Sequence, residues 1–150
     1  MRIFLDACVL FDCREDSRVK SLLNRVKNNG DELITSITVL GEIFSVCMQE
    51  QRHNDLNEIA SECSRLGVKY AHSNEPLRTC CYCLEHNDKQ KRLTPNDKTH
   101  LAYAIVYDCD YFLTTDQDLP HIVPPDNCYL VEKLKIIDYD GLRKIYRRAR

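Results

Sequence analysis

Two short apolar runs of the chain end at aspartate residues. Residues 3–5 (Ile-Phe-Leu) are followed directly by Asp6, and residues 111–113 (Tyr-Phe-Leu) lead through Thr114 and Thr115 to Asp116. Short, continuous apolar runs are typical of strands in a parallel sheet, because helices cover both faces of such a sheet. Ligands of open α/β sheets bind beyond the carboxyl ends of the strands. The two carboxylates are therefore predicted to lie at the same edge of a sheet, in an acidic pocket suited to a cation.

The rest of the chain alternates between short apolar runs and amphipathic segments. This order predicts an α/β protein with a three-layer α/β/α, Rossmann-like fold around a central parallel sheet of about five strands. The predicted strands are 2–6, 33–35, 68–71, 111–115 and 129–131, and the predicted helices are 17–27, 38–51, 55–66, 76–87 and 95–108. Residues 12–16 are predicted to form an exposed loop and a helix start, and a short basic tail helix is predicted from about residue 140. Because no repeat, linker or low-complexity segment interrupts residues 1–150, we expect a single domain.

The distribution of charged and apolar residues indicates where in the cell the protein is expected. Charges interrupt every apolar run well before the roughly 20 residues that a membrane span requires. The first residues enter a predicted strand at once, without the apolar segment and small-residue cleavage site of a signal peptide. We therefore expect a cytoplasmic protein that does not associate with membranes.

Cysteine is frequent in this chain, with nine residues. The number is odd and most of them lie in apolar runs, which predicts small buried side chains that stay reduced. Cys80 and Cys83 have the spacing of a zinc-binding pair, but they fall within a predicted helix and no second pair follows. We therefore predict that neither a disulfide nor zinc is needed for folding.

Glu42 is a third candidate acid, in the helix that follows the second strand. It is the only charged residue between Glu32 and Glu50. At 100° per residue it lies just outside the predicted apolar stripe of this helix, which consists of Leu40, Ile43, Phe44 and Cys47. Its place one to two turns into the helix puts it near the carboxyl edge of the sheet. A solvated position on the flank of the helix is an equally acceptable interpretation.

Asp97 is a fourth candidate, in the segment Thr94-Pro95-Asn96-Asp97. Thr94 is predicted to cap the helix, with Pro95 in its first position and Asp97 facing the free amides of the first turn. Capping alone would explain this aspartate. The helix leads into the strand before Asp116, however, so its first turn is also expected at the carboxyl edge. His100, three residues later, is predicted to be exposed or to bond to Asp97.

The four acids together predict a site for a hard divalent cation. Oxygen ligands favour Mg²⁺ or Mn²⁺ over zinc, and several carboxylates held together are costly without a cation. Such an ion activates water and stabilises the charge that develops on a phosphoryl group. Asp118 is predicted to be an outer ligand or a simple turn residue. The four glycines form no dinucleotide-binding or phosphate-binding loop, and no nucleophile elbow is present.

Four segments that carry these acids resemble, in order, the motifs of the PIN domain family, and in particular its small single-domain ribonucleases, which include VapC-type toxins. The segments are 4–10 (FLDACVL), 36–42 (SITVLGE), 97–104 (DKTHLAYA) and 113–119 (LTTDQDL). The resemblance extends to about Val131. One departure is Ala7-Cys8, where relatives often have Ser, Thr or Asn after the first aspartate.

The resemblance implies a PIN-like fold and a metal-dependent endoribonuclease that hydrolyses RNA phosphodiester bonds. It assigns the catalytic and metal-binding site to Asp6, Glu42, Asp97 and Asp116, with hydrogen bonds from Thr114 or Thr115 in support. It also implies an antitoxin protein as a possible partner. The alternative is a non-catalytic PIN-like module that binds RNA or protein. A phospho-acceptor receiver domain is disfavoured, because Asp6 has no acidic neighbour and no lysine follows the strand at 111–115.

Two surfaces are further predictions. Basic residues outside the acidic edge are predicted to hold RNA through its phosphates. They are Lys89, Lys91 and Arg92, with Arg143, Lys144, Arg147 and Arg148 in the tail. For the tail residues, ordinary solvated charge is an equally good explanation. The helix around Cys80–Leu84 has more apolar residues than one buried face requires. Together with the resemblance, this surface predicts a homodimer; it consists of Leu77, Cys81, Tyr82 and Leu84.

Overall fold

The computed structural model describes residues 1–85, 93–117, 119 and 133–148. The strands are β1 (Arg2–Leu5), β2 (Glu32–Ser36), β3 (Lys69–Ala71), β4 (Tyr111–Leu113) and β5 (Lys135–Ile137). The helices are α1 (Ala7–Glu15), α2 (Ser17–Asn28), α3 (Ile37–Gln49), α4 (His53–Leu66), α5 (Glu75–Glu85), α6 (Pro95–Val106) and α7 (Tyr139–Arg148). The predicted α/β/α fold with a central parallel sheet is confirmed.

The five strands form one sheet in the order β3-β2-β1-β4-β5, and every neighbouring pair is parallel. The chain first builds outward from β1 through β2 to β3, then returns to the other side of β1 for β4 and β5. Parallel α/β sheets open a crevice at such a reversal, beyond the carboxyl ends of the two strands on either side of it. Here the crevice lies between the ends of β1 and β4, which are followed by Asp6 and by residues 114–116.

The centre of the sheet is packed by aromatic and aliphatic side chains that exclude water. Phe4 of β1 is paired with Phe112 of β4, and their rings stack with centroids 5.2 Å apart. Both side chains are fully buried, as are Leu5 and Leu113. Truncation of a buried Phe to Ala costs about 3–5 kcal/mol. This packing gives the carboxyl edge a rigid floor.

Two sequence expectations differ from the structure. Residues 12–15 were expected in an exposed loop, but they belong to helix α1, because Asp6 caps a segment that buries Val9, Leu10 and Cys13. The strand expected at 129–131 lies outside the described residues, and the described strand β5 is Lys135–Ile137. In α3, Phe44 was expected at the centre of the buried stripe, but it is 51% exposed. The buried residues of that helix are Val39, Ile43 and Cys47.

The apolar surface that was expected on α5 is largely covered. Leu77 and Leu84 are buried and Cys81 is half-buried, which leaves Tyr82 as the large exposed side chain of that set. The α5 surface therefore gives little support for a dimer. Within the described ranges, no helix combines the length and apolar character that crossing a bilayer would require.

The eight described cysteines are all unbridged. Burial raises the pKa of Cys63 to about 11 and that of Cys109 to about 12. Such thiols stay protonated at neutral pH, and protonated thiols are poor nucleophiles. Cys80 is buried whereas Cys83 is exposed.

We therefore expect the free energy of unfolding in urea to be equal, within about 0.5 kcal/mol, with and without a thiol reductant. Purified protein should contain less than stoichiometric zinc by elemental analysis. A large loss of stability on reduction, or one bound zinc per chain, would contradict this prediction.

Candidate active site

Asp6 occupies the crevice between β1 and β4 and is 8% exposed. Its Oδ1 accepts a hydrogen bond from the backbone N–H of Ala7 (2.8 Å), which caps α1, and its Oδ2 accepts one from the Thr114 hydroxyl (2.7 Å). Burial raises the pKa of this carboxyl, but hydrogen bonds from His100, Thr114 and the Ala7 amide outweigh it, so that the net pKa is lowered. Asp6 is therefore held as a carboxylate, and it caps a helix as well as lining the crevice.

His100 connects two of the candidate acids. Its side chain is 3% exposed, with Nδ1 3.3 Å from Asp6 Oδ1 and Nε2 3.5 Å from Glu42 Oε2. The expectation of an exposed histidine or a bond to Asp97 was wrong. The sequence signal for its burial was its position directly before the apolar run 101–106 of α6, a helix that is buried on nearly all sides in this part.

Glu42 projects from α3 toward Asp6 and His100. It is closer to the buried face than the sequence suggested, because that face runs through Val39 and Ile43. One carboxylate oxygen, Oε2, is buried without a hydrogen bond, although His100 is 3.5 Å away.

The pKa of Glu42 is raised above its ordinary value. Burial is the largest cause, and the negative charges of Asp6 and Asp97 raise it further. His100 lowers it, but not enough to reverse the shift. Glu42 is therefore a carboxyl group surrounded by other acids and short of positive charge.

Asp97 completes the predicted capping box of α6, in which Thr94 is the N-cap. Its Oδ2 accepts hydrogen bonds from the Thr94 N–H (2.9 Å) and hydroxyl (2.7 Å), and the Asp97 N–H donates to Thr94 Oγ1 (3.2 Å). The capping role is confirmed. Because its charge also raises the pKa of Glu42, Asp97 lies near enough to act on the same site.

Thr114 joins Asp6 to Asp116. The Thr114 side chain is buried; its hydroxyl donates to Asp6 and its Oγ1 accepts the backbone N–H of Asp116 (3.0 Å). Asp116 and Thr115 are exposed and line a cavity of about 340 Å³ beside this edge. The other predicted site residues, Asp118, Lys89, Lys91 and Arg92, lie outside the described residues.

Cys8 lies two residues after Asp6, beside the ends of β1 and β4. Its thiol lies 3.5 Å from Asp6 Oδ2 and 3.5 Å from Thr114 Oγ1, and its sulfur accepts the Thr115 N–H at 3.3 Å. Burial, and then the charge of Asp6, raise the pKa of this thiol. Cys8 thus fills the gap between β1 and β4 as a neutral, weakly polar group.

The donor set fits a hard divalent cation in its chemistry. Among the described residues, no three His, Cys, Asp or Glu side chains already stand in the arrangement of a bound metal ion. The buried oxygen of Glu42 nevertheless has no hydrogen-bonding partner, and it faces a cluster with excess negative charge. A cation would satisfy this oxygen and relieve the repulsion between the carboxylates.

Thr114→Val should destabilise the protein by about 1–3 kcal/mol, because it removes the hydroxyl donor of a buried carboxylate oxygen and leaves that oxygen only the weak donor of the Cys8 thiol. The exposed neighbour gives a matched control, Thr115→Val, which should change stability by less than about 0.5 kcal/mol.

The pKa of Asp6 is lower in the folded protein than in the unfolded chain. Its stabilising contribution is therefore present above the unfolded pKa and is lost as pH falls through the folded pKa. Urea denaturation across acidic pH should therefore show a smaller pH-dependent loss for Thr114→Val. Equal effects of the two variants would contradict this role.

Comparison with known proteins agrees with this architecture. A family model described as "PIN domain" matches residues 3–123. No curated protein matches the chain. Among solved structures, the chain is similar to VapBC2 from Rickettsia felis bound to a DNA fragment from its promoter, with a TM-score of 0.72 and 16% identity over 93% of this chain and 100% of that one.

Two further structures have the same fold. VapBC-1 from nontypeable Haemophilus influenzae gives a TM-score of 0.66 and 16% identity, covering 93% of this chain and 99% of that one. VapC20 from Mycobacterium tuberculosis, a toxin that cleaves the sarcin-ricin loop, gives 0.57 and 18%, covering 81% and 96%. At these identities the structures show a shared fold, while the family model covers most of the chain's length. The chain belongs to the PIN domain family.

Proposed function

We propose that this chain is a Mg²⁺- or Mn²⁺-dependent endoribonuclease that hydrolyses RNA phosphodiester bonds. The observation that carries the proposal is the placement of Asp6 and Glu42 at the two ring nitrogens of His100, at the point where the strand order of the sheet reverses. Family membership adds to it, because the family resembled by the four acidic segments is one of nucleases. We take residues 1–150 as a single PIN-like domain that includes α7.

Asp6, Glu42, Asp97 and Asp116 would hold the cation. When bound, a divalent ion lowers the pKa of water and stabilises the charge that builds up on a phosphoryl group. The protein residues prepare this site before any ion arrives. Thr114 fixes the Asp6 carboxylate and the backbone of Asp116, and the capping box fixes Asp97 at the first turn of α6. Preorganised charge of this kind costs no rearrangement during the reaction.

We extend the proposal to the toxin of a toxin–antitoxin pair, since two of the similar structures are VapBC assemblies. The exposed apolar side chains of α3 suit such a protein partner. Ile37, Phe44 and Met48 are 52%, 51% and 48% exposed, with the spacing of one helix face. We assign this face to the antitoxin; the homodimer stays a prediction without a described surface.

Mn²⁺ should stabilise the wild-type protein against thermal unfolding, by about 2.7 kcal/mol at a concentration one hundred times its Kd. The double variant Asp6→Asn plus Asp97→Asn should lose most of this stabilisation, because two ligand charges are removed while both helices keep an N-cap. Asparagine caps α1 at position 6, and Thr94 still caps α6. Asp108→Asn is the control, since Asp108 is exposed at the opposite edge of the sheet. An unresponsive wild type, or equal responses of all three proteins, would refute the metal site.

Purified protein with Mn²⁺ should cleave single-stranded RNA and leave 5′-phosphate ends. Asp97→Asn should lower the cleavage rate by at least about 100-fold. Removal of a metal ligand should slow the reaction more than removal of a group that only hydrogen-bonds to a ligand. RNA binding should stay intact or strengthen, because a negative charge near the phosphates is removed. Gel analysis of end-labelled RNA measures both, with Asp108→Asn purified in parallel.

If Asp97→Asn cleaves as fast as the wild type, the activity belongs to a contaminant. If the wild type binds RNA but never cleaves it with either ion, the non-catalytic PIN-like module is the better description.

A further inference from the structure

Helices α2 and α7 pack side by side and form a second polar cavity away from the acids. Its volume is about 210 Å³. The lining consists mainly of arginines, which we call the arginine cavity: Arg18, Arg25, Arg143 and Arg147, together with Ser21 and Leu22. Four guanidinium groups from two helices around one small cavity repel one another, and an anion placed between them would relieve that repulsion.

Nearby carboxylates neutralise this cavity only in part. Arg18 pairs with Asp16 at 3.0 Å and Arg143 with Asp140 at 2.7 Å, both within the same stretch of chain. In the described parts of the chain, Arg25 and Arg147 have no carboxylate within 4.0 Å, and both are exposed. Exposed local ion pairs contribute little, so they compete weakly with a stronger anion.

The arginines are not what holds α7 in place. The helix packs through Leu142 and Tyr146, which are both buried, and the Tyr146 hydroxyl bonds to Asp31 at the base of the sheet. The arginine cavity therefore lies on two helices that are fixed by other contacts. Removing exposed charges there should leave the fold intact.

The arginine cavity adjoins the cavity beside the candidate active site. Arg143 lines both of them, and the second cavity, of about 340 Å³, is also formed by Thr114, Thr115 and Asp116. Hydrogen bonds from Arg18, and to a smaller extent the charge of Arg143, lower the pKa of Asp16 at the start of α2. Arginine side chains therefore extend from Arg143, which lines the same cavity as Asp116, to Arg25 and Arg147.

We propose that the arginine cavity binds backbone phosphates of the RNA strand that enters the acidic site, on the side of β4 and α7. The inference rests on the proposed ribonuclease function. A site with four carboxylates repels phosphates, so a strand needs cationic contacts beside it. Guanidinium groups suit this task because they bind phosphate oxygens in pairs and stay charged at any physiological pH. An acidic protein segment could use the same charges, but the shared residue Arg143, which also lines the cavity beside the acids, favours RNA.

The first experiment measures binding without cleavage. Fluorescence anisotropy of a labelled single-stranded RNA is followed against salt concentration in EDTA, with Asp97→Asn as the background. Adding Arg25→Gln plus Arg147→Gln, which together give the cluster variant, should weaken binding by about 10-fold or more. It should also reduce the slope of log K against log salt by about 1.4, or 0.7 for each lost phosphate contact.

A control with the same loss of charge is Arg78→Gln plus Lys135→Gln. Arg78 is exposed on α5 and Lys135 is exposed at the start of β5, and neither lines the arginine cavity. This control should keep the salt slope of the background. Equal affinity and slope in the cluster and control variants would overturn the proposal, as would a cluster variant that loses binding to polyglutamate but not to RNA.

The second experiment separates this proposal from the nuclease assignment. With Mn²⁺ and Asp97 intact, a short oligonucleotide that reaches only the acidic site should be cleaved equally by the wild type and the cluster variant. A long RNA should be cleaved with a raised KM by the cluster variant alone. If the wild type cleaves neither substrate, the nuclease assignment fails, while the anisotropy data still decide on the arginine cavity. Equal KM values for the long RNA would count against the cavity.

Discussion

The contact between Asp6 and Thr114 ties together the two strands on which the site depends. β1 is the first strand of the chain and β4 comes more than a hundred residues later, yet they are direct neighbours because the strand order reverses between them. At their carboxyl ends the Thr114 hydroxyl donates to Asp6, and Thr114 in turn accepts the amide of Asp116. One buried hydroxyl thus contacts the carboxylate of Asp6 and the backbone of Asp116.

The second constraint is electrostatic. The charges of Asp6 and Asp97 both raise the pKa of Glu42, and within the described residues His100 is the basic group between Asp6 and Glu42. Asp6 has enough donors to keep its pKa low, whereas Glu42 has an unsatisfied oxygen and a raised pKa. This difference indicates where the site lacks positive charge. A cation bound by Glu42 would change its environment far more than that of Asp6, which is already satisfied.

Much of this arrangement could be predicted from the sequence, because it depends on local pattern. The strands β1 to β4, the acids at the ends of β1 and β4, and the capping box at Thr94–Asp97 each follow from a few adjacent residues. Helix α1 was missed because no turn residue separates it from β1. Phe44 was misplaced because an apolar side chain on a helix need not face the core. His100 was missed because its partners lie 94 and 58 residues away in sequence, and no local pattern reveals such contacts.

The charge distribution explains how a chain with a formal net charge of −2 can still accommodate a polyanion. Four of its 23 acidic residues are the candidate ligands of the carboxyl edge, where a divalent ion would neutralise them, while arginines from α2 and α7 line a separate cavity. Opposite charges kept apart in this way produce a local field that the net charge conceals. Because Arg143 lines both cavities, the two regions meet at one side chain. A strand held by the arginines would thus approach the acids from the side of β4, where Thr114 already fixes the geometry.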